Sequence, residues 1–170
     1  MTTIAIEVPG VPVAKARPRF ARGRAYTTEA TAGHEALIHA LAKAQCPEPL
    51  TGPLRLAVTF GMPVPKSWSN VKQSKALGGQ IKPTGKPDLD NLLKALDGLT
   101  GVVWKDDAQV VDITASKRYF WEPATLIVVR QAIGSAVVAP RYDAVYYEAL
   151  ERMNASGTMP TEAQKPQGAA

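Results

Sequence analysis

The sequence predicts a small α+β domain in which a mixed β-sheet packs against helices, and three observations carry that expectation. Leu54, Leu56, Val58 and Phe60 alternate with Arg55, Ala57 and Thr59, the period of a strand with one buried face. The stretch from Ala124 to about Ala132 is very apolar, with Leu126-Ile-Val-Val129 at its middle, as expected of a strand at the centre of a sheet. Between them, Leu89, Leu92, Leu93, Leu96 and Leu99 recur at helical spacing. At 170 residues the chain can bury one sizeable core and still leave a tail.

Taken in order, Thr3 to Val8 reads as a strand and the Pro- and Arg-rich segment after it as a loop. Thr28 caps an amphipathic helix running to about Ala44, with Leu37, Ala40, Leu41 and Ala44 turned inward. The strand over Leu54–Phe60 is ended by Pro63 and Pro65, and Ser67 to Leu77 forms a short basic helix closed by Gly78-Gly79. A lysine-containing loop leads to the leucine-striped helix, drawn from Leu89. The apolar run Val102-Val103-Trp104 and the turn Lys105-Asp106-Asp107 precede a strand from Gln109 to about Tyr119. Arg141 to Met153 has the composition of a last helix, and the residues beyond it, small, polar and rich in Pro and Gly, are expected to be disordered. The resulting organisation is a domain over residues 1–132, a helical extension over 133–153 and a tail over 154–170, with no internal repeat.

Cys46 is the only cysteine, which excludes an intrachain disulfide and makes the reducing cytoplasm the expected compartment, with the thiol acting as a small apolar filler. No segment approaches the roughly 20 apolar residues needed to span a bilayer, and the first residues lack the pattern of a signal peptide, so no membrane partner is expected. His34 and His39 have no Cys or His at metal-ligand spacing, which argues against zinc.

The net charge of +5 is concentrated rather than spread. Val11 to Thr27 holds Lys15, Arg17, Arg19, Arg22 and Arg24 without an acid, interleaved with Phe20 and Tyr26. Met62 to Lys86 holds Lys66, Lys72, Lys75, Lys82 and Lys86, again without an acid, and carries Trp68. Cations neutralise nucleic-acid phosphates and aromatics stack on exposed bases, so both segments suit DNA, the first more than the second. For each, a solvated loop is the competing reading.

Against this basic background, six aspartates fall between Asp88 and Asp112. On a helix drawn from Leu89, Asp90, Lys94 and Asp97 lie along one flank of the leucine stripe, while Asp88 follows Pro87 at the helix mouth, placed to cap it or to reach a metal. Asp106-Asp107 projects carboxylates from a turn at the sheet edge, where the helix and sheet can converge their acids. Carboxylate oxygens suit Mg²⁺ or Mn²⁺, and such an ion suits phosphodiester hydrolysis, with Lys94 placed to stabilise developing charge. Asp97 and Asp112 read as surface residues or as supports of such a site. Plainer readings stand beside these: Asp90 and Lys94 as a helix ion pair, Asp88 as an N-cap, Asp106 and Asp107 as turn residues.

The blocks Val8-Pro-Gly-Val-Pro-Val-Ala-Lys-Ala-Arg-Pro-Arg-Phe20, Lys86-Pro-Asp-Leu-Asp-Asn-Leu-Leu-Lys-Ala-Leu-Asp-Gly-Leu99 and Val103-Trp-Lys-Asp-Asp-Ala-Gln-Val-Val-Asp112 together resemble the RusA family of Holliday-junction endonucleases, frequent in phages and prophages. The resemblance covers about residues 3–132 and is specific in the combination of the last two blocks. It implies a homodimer that uses Mg²⁺ or Mn²⁺ to make paired nicks in a four-way DNA junction, a symmetric task for a symmetric enzyme. It also implies that Asp88, Asp90 and Asp107 are the metal-binding and catalytic acids, that Lys94 is the essential lysine, and that Asp106 is supporting. Lys15, Arg17, Arg19, Arg22, Arg24 and Lys86 are the expected DNA contacts. A DNA-binding module without catalysis, or a nuclease for other branched DNA, is the alternative.

Overall fold

The structure, a computed structural model, describes residues 2–15, 19–21, 24–26 and 29–132, with residues 19–21, 24–26, 29 and 30 described by their backbone alone. Thr28, Arg17, Arg22, the expected helix over residues 141–153 and the expected tail lie outside the described residues.

Strands β1 (Thr3–Pro9), β4 (Leu54–Pro63), β5 (Val110–Phe120) and β6 (Ala124–Gln131) form a four-stranded sheet in the order β1-β6-β4-β5. β6 pairs antiparallel with β1 on one side and β4 on the other, whereas β4 and β5 run parallel, so the sheet is mixed. The apolar run of β6 thus occupies an inner position, where both faces need burial. The Pro- and Arg-rich segment is not wholly irregular: β2 (Arg19–Ala21) and β3 (Arg24–Tyr26) pair antiparallel as a two-stranded ribbon.

Helices α1 (Glu29–Gln45), α2 (Asn70–Leu77) and α3 (Leu89–Leu93) complete the fold, and α3 continues as a 3₁₀ segment over Lys94–Leu99. The main core joins Ile6, Val8, Val58, Phe60, Ile127 and Val129 of the sheet to Ile38 and Ala42 of α1 and to Leu92, Leu96 and Leu99. The inward face of α1 differs from the expected one: Thr31, Ile38 and Ala42 are buried, Leu41 is partly buried, and Leu37, Ala40 and Ala44 face solvent. Two apolar stripes about 100° apart compete on this alanine-rich helix, and the one carrying Ile38 meets the sheet. Cys46 is buried, and its thiol donates to the Glu48 carbonyl at 3.0 Å, as fits a small filler.

The opposite sheet face carries a smaller cluster of Phe120, Ala124, Leu126 and Val128. Gly61 is required there, because a Cβ at that position would lie 1.9 Å from the Phe120 ring. At the sheet edge β5 exposes Val111 (61%) and Ile113 (52%). None of the described helices is long and apolar enough to cross a membrane.

Candidate active site

Asp88 stands at the N-cap of α3 with extended backbone, as a residue entering a helix should, yet its side chain makes no capping bond. Its carboxylate is exposed to solvent. The Lys86–Pro87 peptide bond leading to it is cis. The turn is held from the sheet by Lys117 of β5, whose ammonium donates to the carbonyls of Gly85 and Pro87, each at 2.8 Å. Lys86 itself is exposed.

One turn along, the Lys94 ammonium donates to Asp90 Oδ2 at 3.2 Å, the i,i+4 pairing that the spacing allows. This hydrogen bond, with the attraction of the same ammonium, holds the Asp90 carboxyl below its ordinary value, so it is ionised at neutral pH. Asp97 leaves that flank. The backbone tightens from α to 3₁₀ after Leu93, turning about 120° rather than 100° per residue. Asp97 instead accepts from the Lys15 ammonium at 2.6 Å, with Glu35 at 4.0 Å from the same ammonium. The hydrogen bond to Asp97 raises the Lys15 pKa against the opposing effect of burial. Lys15 is therefore ion-paired to acids of its own chain, and its main-chain N–H donates to the Asn91 carbonyl at 3.0 Å. Of the other expected DNA contacts, Arg19 and Arg24 lie in the β2–β3 ribbon.

Asp106 and Asp107 do not join two strands, as the Val102–Trp104 run forms only isolated bridges with Leu50 and Thr100. They open a short 3₁₀ turn, Asp107–Gln109, that feeds β5. Asp106 caps it by accepting from the Ala108 N–H at 2.8 Å, and Gln109 reciprocates by accepting from the N–H groups of Lys105 and Asp106. The Gln109 amide also donates to the carbonyls of Leu50 and Gly52, tying the turn to the loop before β4. Asp106 thus has a structural role, while Asp107 faces outward. Its Oδ1 accepts from the Thr100 hydroxyl and from the buried Trp104 indole N–H, the latter at 2.8 Å. The Thr100 bond first, and the Trp104 bond second, lower its pKa. Neither bond occupies Oδ2.

The two groups of acids sit at opposite ends of the same segment. Asp88 and Asp90 are at its start, and Asp107 is hydrogen-bonded to Thr100 just past its end. At about 1.5 Å per α-helical and 2.0 Å per 3₁₀ residue, the span from Asp90 to Thr100 is about 18 Å. The sheet gives the same sense: Lys117, beside Asp88, lies seven residues into β5 from Val110, roughly 23 Å at 3.3 Å per residue. Accordingly, no group of three acidic, His or Cys side chains among the described residues is gathered to hold a metal. The donors still suit a hard divalent cation in kind, since Mg²⁺ commonly takes one or two carboxylates and completes its shell with water and phosphate oxygens.

Lys117, Thr100 and Trp104 are neighbours of the candidate acids that residue spacing did not single out. Lys117 had a signal in its parity, since it lies on the same side of β5 as Ile113 and Ala115, the three being paired with Phe60, Leu56 and Val58 of the main core. The two bonds to Asp107 cross a turn whose shape spacing alone does not give.

Exposed carboxylates with an adjacent lysine, carried on a basic α+β domain, are the residue types that metal-assisted phosphodiester hydrolysis uses. The family model described as Endodeoxyribonuclease RusA matches residues 9–130, and the chain belongs to this family of Holliday-junction endonucleases. It is also 37% identical over 139 residues to an uncharacterized protein, YqaN, of Bacillus subtilis (strain 168), across 77% of this chain and 98% of the relative.

Proposed function

We propose that the chain is a homodimeric, Mg²⁺- or Mn²⁺-dependent endonuclease that resolves four-way DNA junctions by paired phosphodiester hydrolysis. The observation that carries this reading is the placement of the acids: Asp88 and Asp90 at one end of the α3 segment, Asp107 at the other. One protomer supplies two half-sites, and a two-fold axis joins them in pairs. Asp88 and Asp90 of one protomer, with Asp107 of its partner, would hold the ion. The ion would supply activation of water and neutralisation of phosphate charge.

The edge strand β5 fits that assembly. Val111 and Ile113 are exposed on it, and antiparallel pairing of two such strands brings the start of one, with Asp107, toward the end of the other, where Lys117 holds the turn before Asp88. Within each completed site Asp90 is kept ionised by Lys94, Asp107 by Thr100 and Trp104, and Lys94 is placed to stabilise charge on the phosphate. The compartment proposed is the cytoplasm.

Two experiments test this. A labelled four-way junction incubated with the protein is cut symmetrically in Mg²⁺ but not in EDTA, while the matched duplex stays intact; cutting of neither substrate refutes the endonuclease reading. Asp90→Asn and Asp107→Asn, each inactive alone, regain single-strand nicking when co-folded into heterodimers, because one site receives all its native acids. Confirmed heterodimers without nicking overturn the shared site.

A further inference from the structure

We propose that the surface formed by α2 and the last residues of β5 is a second phosphate-binding surface, which grips the backbone of the DNA arm beside the cut strand. This rests on the endonuclease reading and adds a contact surface to it. From Pro49 to Pro87 the chain contains no acid, and Lys66, Lys72, Lys75 and Lys82 of this stretch are exposed. None of the four forms an ion pair with a described residue.

The charges are held against local electrostatics. Lys72 lies in the first turn of α2, which carries no acid, where a cation is disfavoured by the helix dipole. Lys75 follows one turn later at i,i+3, where like charges repel. α2 buries only Ala76 among its residues, so these lysines are not by-products of an apolar face packed deep in the core. What fixes Lys72 is an aromatic mount: its ammonium sits 4.0 Å from the centre of the Trp68 ring, which in turn meets Tyr119 edge-on at 5.4 Å between ring centroids. A cation–π contact orients an ammonium without cancelling its charge.

At the other end of α2 a hollow of about 90 Å³ is bordered by Lys82, Arg118 and Tyr119 together with the Leu77–Gly79 turn. The Lys82 ammonium lies 3.5 Å from where a Gly79 Cβ would stand. Cations therefore line both ends of the helix. The surface is continuous with the acids: Tyr119 is two residues beyond Lys117 on the same side of β5, about 6.6 Å along the strand, and Lys117 holds the carbonyl next to Asp88. A duplex arm leaving the Asp88–Asp90 end passes along this line of ammonium groups.

The test compares the full chain with Lys72→Gln/Lys75→Gln, which keeps good helix formers in α2, and with Lys43→Gln as a control on α1. Affinity for a four-way junction is measured in EDTA across a salt titration. The double variant is expected to bind more weakly, with a log–log slope shallower by about 0.9 for each phosphate left without its lysine, while the control keeps the slope of the unmodified chain. Acetylation footprinting of the unmodified chain, which needs no variant to fold, is expected to show Lys72, Lys75 and Lys82 protected by the junction. An unchanged slope with unprotected lysines, in a chain that still binds and cuts junctions, overturns this inference alone. A slope lowered equally by Lys43→Gln also overturns it. An unmodified chain that binds no DNA overturns the endonuclease reading as well.

Discussion

Trp104→Phe isolates one hydrogen bond at the proposed site. The indole N–H reaches Asp107 Oδ1 at 2.8 Å from a buried ring, and phenylalanine keeps an aromatic side chain while deleting that donor. A hydrogen bond to a charged group contributes about 1.5–3 kcal/mol when shielded. Asp107 is exposed, and solvent screening reduces the expected value to about 1 kcal/mol. Thr100 and Trp104 depress the Asp107 pKa in the folded chain, so their stabilisation is fully present above the unfolded value, near 3.9, and is lost as pH falls through the lower folded value. The smaller ring adds a packing cost that does not vary with pH. The difference in urea-unfolding free energy between the unmodified chain and the variant should therefore be largest near pH 7 and shrink by about 1 kcal/mol as Asp107 becomes protonated. Single-turnover cleavage should slow roughly five-fold if the same energy positions the carboxylate during the reaction, and the acid limb of its pH profile should move upward. A stability difference that is flat with pH, together with an unchanged acid limb, would show that the indole only fills space.

Lys94→Ala should reduce single-turnover cleavage by roughly 100-fold or more, with the melting temperature nearly unchanged because the Asp90–Lys94 pair is exposed. Asp88→Asn or Asp90→Asn should abolish junction cleavage in Mg²⁺ while junction affinity, read by gel shift, holds or rises; retained cleavage would remove that acid from the site. Neutralising Arg17 and Arg19 together should flatten the salt dependence of binding by about 0.9 for each phosphate that an arginine no longer neutralises, and an identical slope would place that segment away from DNA. Gly61→Ala should destabilise the fold by about 1–3 kcal/mol in urea unfolding, because the added methyl overlaps the Phe120 ring; a neutral result would mean that Phe120 moves aside freely.

The four strands of the main sheet were legible because their signals are local, whereas the short β2–β3 ribbon lies in a segment read as a loop. Alternation through Leu54–Phe60 and the apolar run Leu126–Val129 mark β4 and β6, and proline and glycine mark where elements end. The Ser69 cap and Gly78 closure place α2 close to the expected span. Less was legible where two faces of one helix compete, as on α1, or where a helix changes pitch, as after Leu93: Asp97 leaves the flank of Asp90 for Lys15 through a change that residue spacing does not encode. The chemistry of the acids was readable from residue type, but their separation depends on how Thr100 and Trp104 fold back onto Asp107. That arrangement emerges only from three-dimensional packing.

Lys15 is the last described residue before the arginine-rich segment, and it is fastened twice to the α3 region, through its N–H on Asn91 and its ammonium on Asp97. The root of that segment and the carrier of Asp90 are consequently one mechanical piece. If the arginines engage DNA as proposed, the strand they hold is tethered through Lys15 to Asn91, next in sequence to Asp90, so binding of the arm and alignment of the acid would share a lever. Replacing Asp97 by Asn would keep the Lys15 charge and the main-chain bond to Asn91, yet loosen the coupling between the two by removing its ionic half.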